Sequence, residues 1–435
     1  MGVRTFADGT PSLQWYRAAL LVTIACTTYL YLPFAPGGRL LVPSYPTVAL
    51  MPLLFLTVRR ELSTADAVFL PKIAFVLVLS IALSPGYDWV TQKFLSLIQC
   101  CMALTVTVMT ARLMQQVRLE LLERTLLVLW CLTVGGCILE VIGLTREISD
   151  SFRVWAYGGV YTLYFGDDRD LNLVGWLRPK LFSEEPSHVT RFFIASINSW
   201  LLVRVSWVKV AIVAGATVVM ILIMGSPMLL VSAAITLLIV LWNRRVSLRA
   251  RITMVVAALL IGAFFVGFYG ESTFSHVTAR IERIGETSSA QQLTASSENK
   301  RMIFPYLTLV DTWARWPLFG VGIGGTEVIM EHTTIEGINP KYAVGNNVMA
   351  EFGIYLGLVG AAWFIYLLRT QAAQMGVRRF GLLLLIGALM SQLEGGMVAF
   401  RFWGFIALLW GALAVADQST AQESTTAASA PLVRH

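Results

Sequence analysis

The sequence predicts an all-α membrane protein, a polytopic bundle of about twelve transmembrane helices. Three observations predict it. Apolar residues make up 56% of the chain and charged residues only 14%, whereas a soluble domain carries about 25% charged residues. Mean hydropathy is accordingly high, at +0.69. Apolar runs of about 20 residues, the length needed to cross hydrocarbon, recur between positions 17 and 416. Basic residues, finally, gather in alternate connections between these runs, which gives the bundle a direction.

The first expected span, 17–33, is followed by Pro33 and Pro36 and lacks a small-residue cleavage site, so no cleavable signal is expected. Spans 39–57 and 67–83 flank Arg59 and Arg60, and spans 94–112 and 123–144 flank Arg112, Arg118 and Arg124. Arg204 and Lys209 join 188–204 to 208–225. Gly225, Ser226 and Pro227 then form a turn or helix break before 227–242. Arg244, Arg245, Arg249 and Arg251 precede the span 252–270. Spans 347–368 and 380–393 flank Arg369, Arg378 and Arg379, and 400–416 closes the single transmembrane domain, 1–416. The last residues, 417–435, are rich in Ser, Thr and Ala and are expected to form a disordered, solvated tail.

Every basic connection falls on the side of both termini, which the positive-inside rule makes the cytoplasm. The net charge of +7 is therefore topological and argues against a nucleic-acid partner. Cys26, Cys100, Cys101, Cys131 and Cys137 all lie inside apolar runs without metal-ligand spacing, and they read as small packing residues. Two long connections, 145–187 and 271–346, lie on the outer side, where long loops are usually functional or disordered. The first is too aromatic for disorder, with Trp155, Tyr157, Tyr161, Tyr164, Phe165 and Trp176. Within the second, 285–299 is polar and low in complexity. No internal repeat of the inverted-transporter kind is visible.

The chemistry concentrates in LFSEEPSHVTRFF, residues 181–193. Glu184, Glu185, His188 and Arg191 cluster around Pro186 at the mouth of an apolar helix, where charge facing lipid is costly. Two readings stand for the acids. They complement a helix N-terminus, or one of them accepts a hydroxyl proton, since His188 and Arg191 share a face with Glu184 at i+4 and i+7. His188 is open to the same two readings, as a partner of the acid or as a simple hydrogen bonder, and Arg191, one turn inside, either snorkels or meets a buried partner. Arg280 and Arg283, beside Glu282 and Glu286, read as a solvated helix face. The segment 302–316 has helical apolar period and reads as an amphipathic helix on the outer leaflet. Gly320, Gly322, Gly324 and Gly325 read as a bend, because no strand precedes them. At least one of Asn346 and Asn347 caps the tenth span. Glu140, Glu394 and Arg401 stand at the same outer level. His188, His276, His332 and His435 are scattered, so no metal site and no cofactor are expected. The acids of DDRD, 167–170, read as a solvated turn.

Three segments together resemble the O-antigen polymerase and O-antigen ligase superfamily of integral membrane glycosyltransferases. RPKLFSEEPSH (178–188) is similar to the family's Phe-Ser-Glu-Pro-Ser-His helix start, with one extra Glu, so that either Glu184 or Glu185 matches the family carboxylate. KRMIFPYLTLVDTWARWPLFGVGIGG (300–325) resembles the arginine-led amphipathic helix followed by a Pro and a Gly-x-Gly turn. NNVMAEFGIYLGLVG (346–360) resembles a His-Asn helix start, with Asn347, Gly357 and Gly360 keeping the spacing and Asn346 in place of the His. In the ligase branch that His assists the acceptor hydroxyl, so Asn346 points to the polymerase branch.

The resemblance implies a GT-C-like bundle with a periplasmic cap, in the bacterial inner membrane. It implies polymerisation of undecaprenyl-diphosphate-linked repeat units into O-antigen, capsule or exopolysaccharide. Arg178 and Arg301 would hold the lipid diphosphate, since planar guanidinium groups grip phosphate oxygens bidentately. Arg191, Arg280, Arg283, Asn346 and Asn347 are the further candidate substrate contacts, and Glu184, Glu185 and His188 the candidate catalytic groups. A chain-length regulator and a flippase are the implied partners. Two rival readings are a ligase that transfers glycan to lipid A–core and a transporter of lipid-linked sugar. A transporter needs polar groups along the full bilayer depth, whereas here they gather on the outer side.

Overall fold

The computed structural model describes residues 10–34, 44–158, 163, 171, 176–226, 228–242, 304–332, 347–392 and 396–429. The expected span 252–270, the segment 285–299, the DDRD turn, and Arg280, Arg283, Arg301, Asn346 and Glu394 lie outside the described residues. Among the described residues the chain is all-helical. Six stretches among the described residues are long and apolar enough to cross a membrane. They are α3 (Thr64–Ala82), α4 (Val90–Gln116, extended by a 3-10 turn at Tyr87–Trp89), α5 (Leu119–Val141), α8 (Trp207–Met224), α12 (Val348–Gln374) and the first part of α14 (Phe400–Ser429). Shorter apolar helices are α2 (Tyr45–Val58), α9 (Leu229–Trp242) and α13 (Phe380–Ser391). The rest are α1 (Pro11–Leu30), α6 (Arg146–Tyr157), α7 (Pro186–Val203), α10 (Phe304–Arg315) and α11 (Thr326–His332).

Local chemistry sets the helix ends. Ser63 and Asp66 form a capping box that starts α3. Pro186 opens α7 in the first turn, where its missing N–H costs nothing. Gly225 ends α8 in the left-handed region and accounts for the expected break before α9. At its far end α14 runs on to Ser429, so the expected disordered tail begins as helix. Its Ala- and Gln-containing sequence tolerates helix, and Asp417 anchors the junction by accepting from the backbone N–H groups of Arg378 and Arg379.

The centre of the bundle is a pair of helices with little surface of their own. All of α7 except Ser187 is buried, and α14 is buried from Phe400 to Ala416. The two pack together, with α4 on the other side of α14 and α5 beside α7. Close approach along α14 needs small residues. A Cβ on Gly404 would lie 2.8 Å from Thr28 of α1, and one on Gly411 would lie 2.4 Å from Met114 of α4. Because α7 faces protein throughout, it can carry polar groups at depth. Asn198 donates to Ser232 of α9 at 3.1 Å and accepts from Thr236 at 3.0 Å. At the end of the bundle away from Pro186, Asp66 gathers Arg112 of α4 (3.0 Å) and Gln371 of α12, tying three helices together.

The glycine segment expected as a bend is built into a neighbouring helix. Gly357 (φ 63°, ψ −170°) interrupts α12, and the 317–322 turn fills the gap. Val321 N–H donates to Ile354 O and Gly322 N–H to Tyr355 O, both at 3.0 Å. In return Leu358 N–H donates to Pro317 O at 2.8 Å and Val359 N–H to Leu318 O at 3.0 Å. The break thus leaves these backbone groups satisfied, as a low-dielectric setting demands. Helix α10, expected on the outer leaflet, rests its buried face on α12, where Trp313 donates to Gly353 O at 3.0 Å. Gly320 (φ +62°) has no room for a side chain, since a Cβ there would sit 2.2 Å from Ile354 O. Gly320→Ala should therefore lower stability by more than the roughly 1–2 kcal/mol of left-handed strain alone. Gly215→Ala, on α8 with open space around it, should be neutral or slightly stabilising. Thermal unfolding of the purified variants checks both, and equal melting of the two would refute the interlocked turn.

Candidate functional site

The site forms where α7 and α14 begin. The loop leading into α7 is held in a conformation that its sequence does not favour. Leu181 (φ 41°) and Phe182 (φ 65°) are left-handed without being glycine, which costs of order 1–3 kcal/mol each. Two successive left-handed residues also turn their N–H and C=O groups away from any helix or ladder, so side chains must meet them. Glu140, at the end of α5 and fully buried, accepts Lys180 N–H on Oε1 (2.9 Å) and Leu181 N–H on Oε2 (2.7 Å). Ser149 Oγ of α6 accepts Phe182 N–H at 3.0 Å. Tyr29 donates to Leu181 O at 3.0 Å and Tyr157 to Phe182 O at 3.1 Å. Buried Arg153 completes the brace, donating to Ser183 O at 2.8 Å and Glu184 O at 3.0 Å while pairing with Asp150 at 2.6 Å.

What this brace positions is Glu184. Its side chain is 15% exposed, and it faces two buried groups. Oε2 lies 4.0 Å from His188 Nδ1, and Oε1 lies 3.7 Å from Arg401 Nη2. Arg401, on the first turn of α14, also meets His188 directly, Nη1 to Nε2 at 2.7 Å. A guanidinium only donates, so Nε2 must accept and the ring proton resides on Nδ1. That N–H points toward the carboxylate across a gap longer than a hydrogen bond. The guanidinium carbon of Arg401 sits 4.5 Å from the centre of the Tyr31 ring, a cation–π contact. Tyr31 is itself left-handed (φ 46°). The three non-glycine residues with positive φ among the described residues, Tyr31, Leu181 and Phe182, therefore all border this cluster. Strain concentrated in this way is a mark of functional sites.

The approach to α14 is held as the approach to α7 is. Buried Glu351 of α12 accepts Gly396 N–H on Oε1 at 2.9 Å and Met397 N–H on Oε2. Trp403 adds a bond to Met397 O at 2.7 Å. Each helix that contributes ionisable groups to the cluster thus has its leading segment gripped by a carboxylate from a different helix.

The structure brings together Glu184 and His188, and adds Arg401. Glu185 points elsewhere: it is exposed, and its Oε2 accepts from Ser187 Oγ at 3.0 Å. Arg191 is buried one turn below His188. Arg178 is partly exposed at the start of the loop. Asn347 caps α12, accepting Ala350 N–H at 3.1 Å and donating to Gln392 at 2.8 Å. Glu140, Arg401 and the braces Tyr29, Tyr31, Ser149, Arg153 and Tyr157 had no part in the sequence motif. The signal for Glu140 and Arg401 was a charge at the end of an apolar run, whereas nothing marks the tyrosines and Ser149. Among the described residues no three His, Cys, Asp or Glu side chains stand close enough to hold a metal ion. Comparison with protein-family models gives no match for this chain, and comparison with curated proteins gives none either.

Proposed function

We propose that this protein is a glycosyltransferase that polymerises undecaprenyl-diphosphate-linked oligosaccharide repeat units at the periplasmic face of the bacterial inner membrane. In this reading the fold is a GT-C-like bundle of twelve spans with both termini cytoplasmic. The observation that carries the proposal is a carboxylate flanked by a neutral imidazole and a guanidinium, all at one end of the two most buried helices. The three resembling segments supply the substrate class.

Glycosyl transfer of this kind needs a base and a stabiliser of leaving-group charge. The acceptor sugar's hydroxyl oxygen attacks the anomeric carbon of the lipid-linked donor. Its proton passes to Glu184, the bond from the anomeric carbon to the diphosphate oxygen breaks, and the lipid diphosphate leaves with the electron pair. His188 and Arg401 orient the carboxylate. Arg178 and Arg301 are the arginines assigned to the diphosphate by the resemblance.

Deletion of the gene, followed by gel analysis of surface glycan, tests the reading. Single-repeat products are expected. Long glycan left on carrier lipid would instead indicate a ligase, and undecorated surfaces with inward-facing lipid-linked units a flippase. In a purified system, washing with EDTA should leave turnover unchanged, because arginine can supply the charge that magnesium supplies elsewhere. A rate recovered only with added magnesium or manganese would overturn that part of the mechanism.

A further inference from the structure

Helix α6 is amphipathic in the reverse sense to a soluble surface helix. Ser149, Arg153 and Tyr157, spaced by four on one face, are buried. Ile148 and Trp155, on the opposite face, are 63% and 72% exposed. The polar face is fully used, since it holds the backbone of Phe182, Ser183 and Glu184. Among the described residues, the ring contact of Trp155 is with Phe152 of the same helix. Inside-out patterning of this kind is explained by an apolar surrounding, not by water.

The position of α6 says which apolar surrounding this is. Its first residue, Arg146, follows the membrane-spanning α5 by four residues. The exposed side of α5 carries Leu132 and Leu139, and Ile142 and Leu144 just beyond it carry that surface on toward Ile148 and Trp155. The apolar surface along α5 thus continues through Leu144 onto Ile148 and Trp155 of α6, with the exposed Glu147 and Ser151 beside it. A Trp at this level matches the aromatic belt at a membrane interface. We infer that α6 lies in the plane of the membrane surface and docks its Ile148–Trp155 face into lipid hydrocarbon.

The consequence for the site is a physical link between lipid and the strained loop. Trp155 packs against Phe152 in a tilted pair at 5.6 Å between ring centroids, and Phe152 meets Phe182 edge-on at 5.5 Å. Phe182 is one of the two left-handed residues before Glu184. The helix that anchors in lipid is therefore the helix that holds the loop in its strained form. This inference rests on the membrane placement of α5 and holds whatever reaction the site performs.

Fluorescence of the full chain in nanodiscs tests it, with the emission of Trp155 taken as the difference between wild type and Trp155→Phe. That component should be lost when the acyl chains are brominated and be unaffected by aqueous iodide. Quenching by iodide alone would place the face in water. Resistance to both quenchers would mean that a second copy or another protein covers it. Either result overturns the proposal. The link to the loop is read by hydrogen exchange: Ile148→Asp should raise exchange in 180–184, where Ser149 and Glu140 protect the amides, with α12 unchanged. Unaltered exchange in that segment, in a variant whose bromolipid quenching has been lost, would refute the coupling.

Discussion

Glu184→Gln should lower turnover of lipid-linked substrate by about 10²-fold or more, while Glu185→Gln stays near wild type. Gln preserves shape and one acceptor oxygen but cannot take a proton at neutral pH. At position 184 the substitution removes a carboxylate that faces His188 at 4.0 Å and Arg401 at 3.7 Å. At position 185 it changes an exposed side chain whose described contact is the Ser187 hydroxyl. There the expected cost is limited to the few tenths to 1 kcal/mol that an acid contributes at a helix N-terminus. Glu184→Gln also removes a countercharge from buried Arg401, so stability will fall as well. The loss should be less than the several kcal/mol of a fully buried pair, because the Glu184 side chain is partly exposed. Rates should therefore be compared well below the melting temperature of each variant. His188→Ala separates tuning from folding, since removing the ring should shift the pH profile of the remaining activity. Equal rates for the two Gln variants would place the proton acceptor outside this cluster.

The second large effect is expected at Glu140, on stability. Its two oxygens each accept one backbone N–H of the strained loop, and the side chain is fully buried. Glu140→Ala leaves both donors without their acceptor, a cost of roughly 1–3 kcal/mol for each. Glu140→Gln is the sharper test, because it retains the size of the side chain but offers one oxygen and one NH₂ group. One of the two backbone donors must then confront another donor, so about half of the Ala penalty should remain. Thermal unfolding of the purified protein measures both variants, and hydrogen exchange in 180–184 should rise in step. A Gln variant as stable as wild type would show that the loop keeps its conformation without the carboxylate. Glu351→Gln should behave in parallel for the segment at Gly396 and Met397.

Much of the architecture is written locally. Run length and polarity mark α3, α4, α5, α8, α12 and α14, because the free energy of placing a helix in hydrocarbon is close to a sum over its own residues. Pro186 and Gly225 mark helix ends for the same reason, since each acts through its own φ. The proximity of Glu184 to His188 was legible as an i, i+4 spacing.

The rest had no local signature. Arg401 joins the cluster across 213 residues of sequence, and only the packing of α14 on α7 decides that pairing. Which of the two adjacent acids turns inward is likewise a tertiary outcome. The loop must first be bent left-handed at Leu181 and Phe182, residues whose types give no hint of that conformation. It is held there by Glu140, Ser149, Arg153, Tyr29 and Tyr157, drawn from three other helices. Gly357 is marked in sequence only by its motif spacing, which gives no sign of the gap in α12, and a distant turn supplies the four missing backbone partners. The sequence by itself therefore determined the long apolar helices and where charge collects along the chain, but not α6, α11 or the helical start of the tail. The tertiary structure alone decided which charges from different segments meet, because such partners are chosen by proximity in space, and periodicity along one helix carries no record of it.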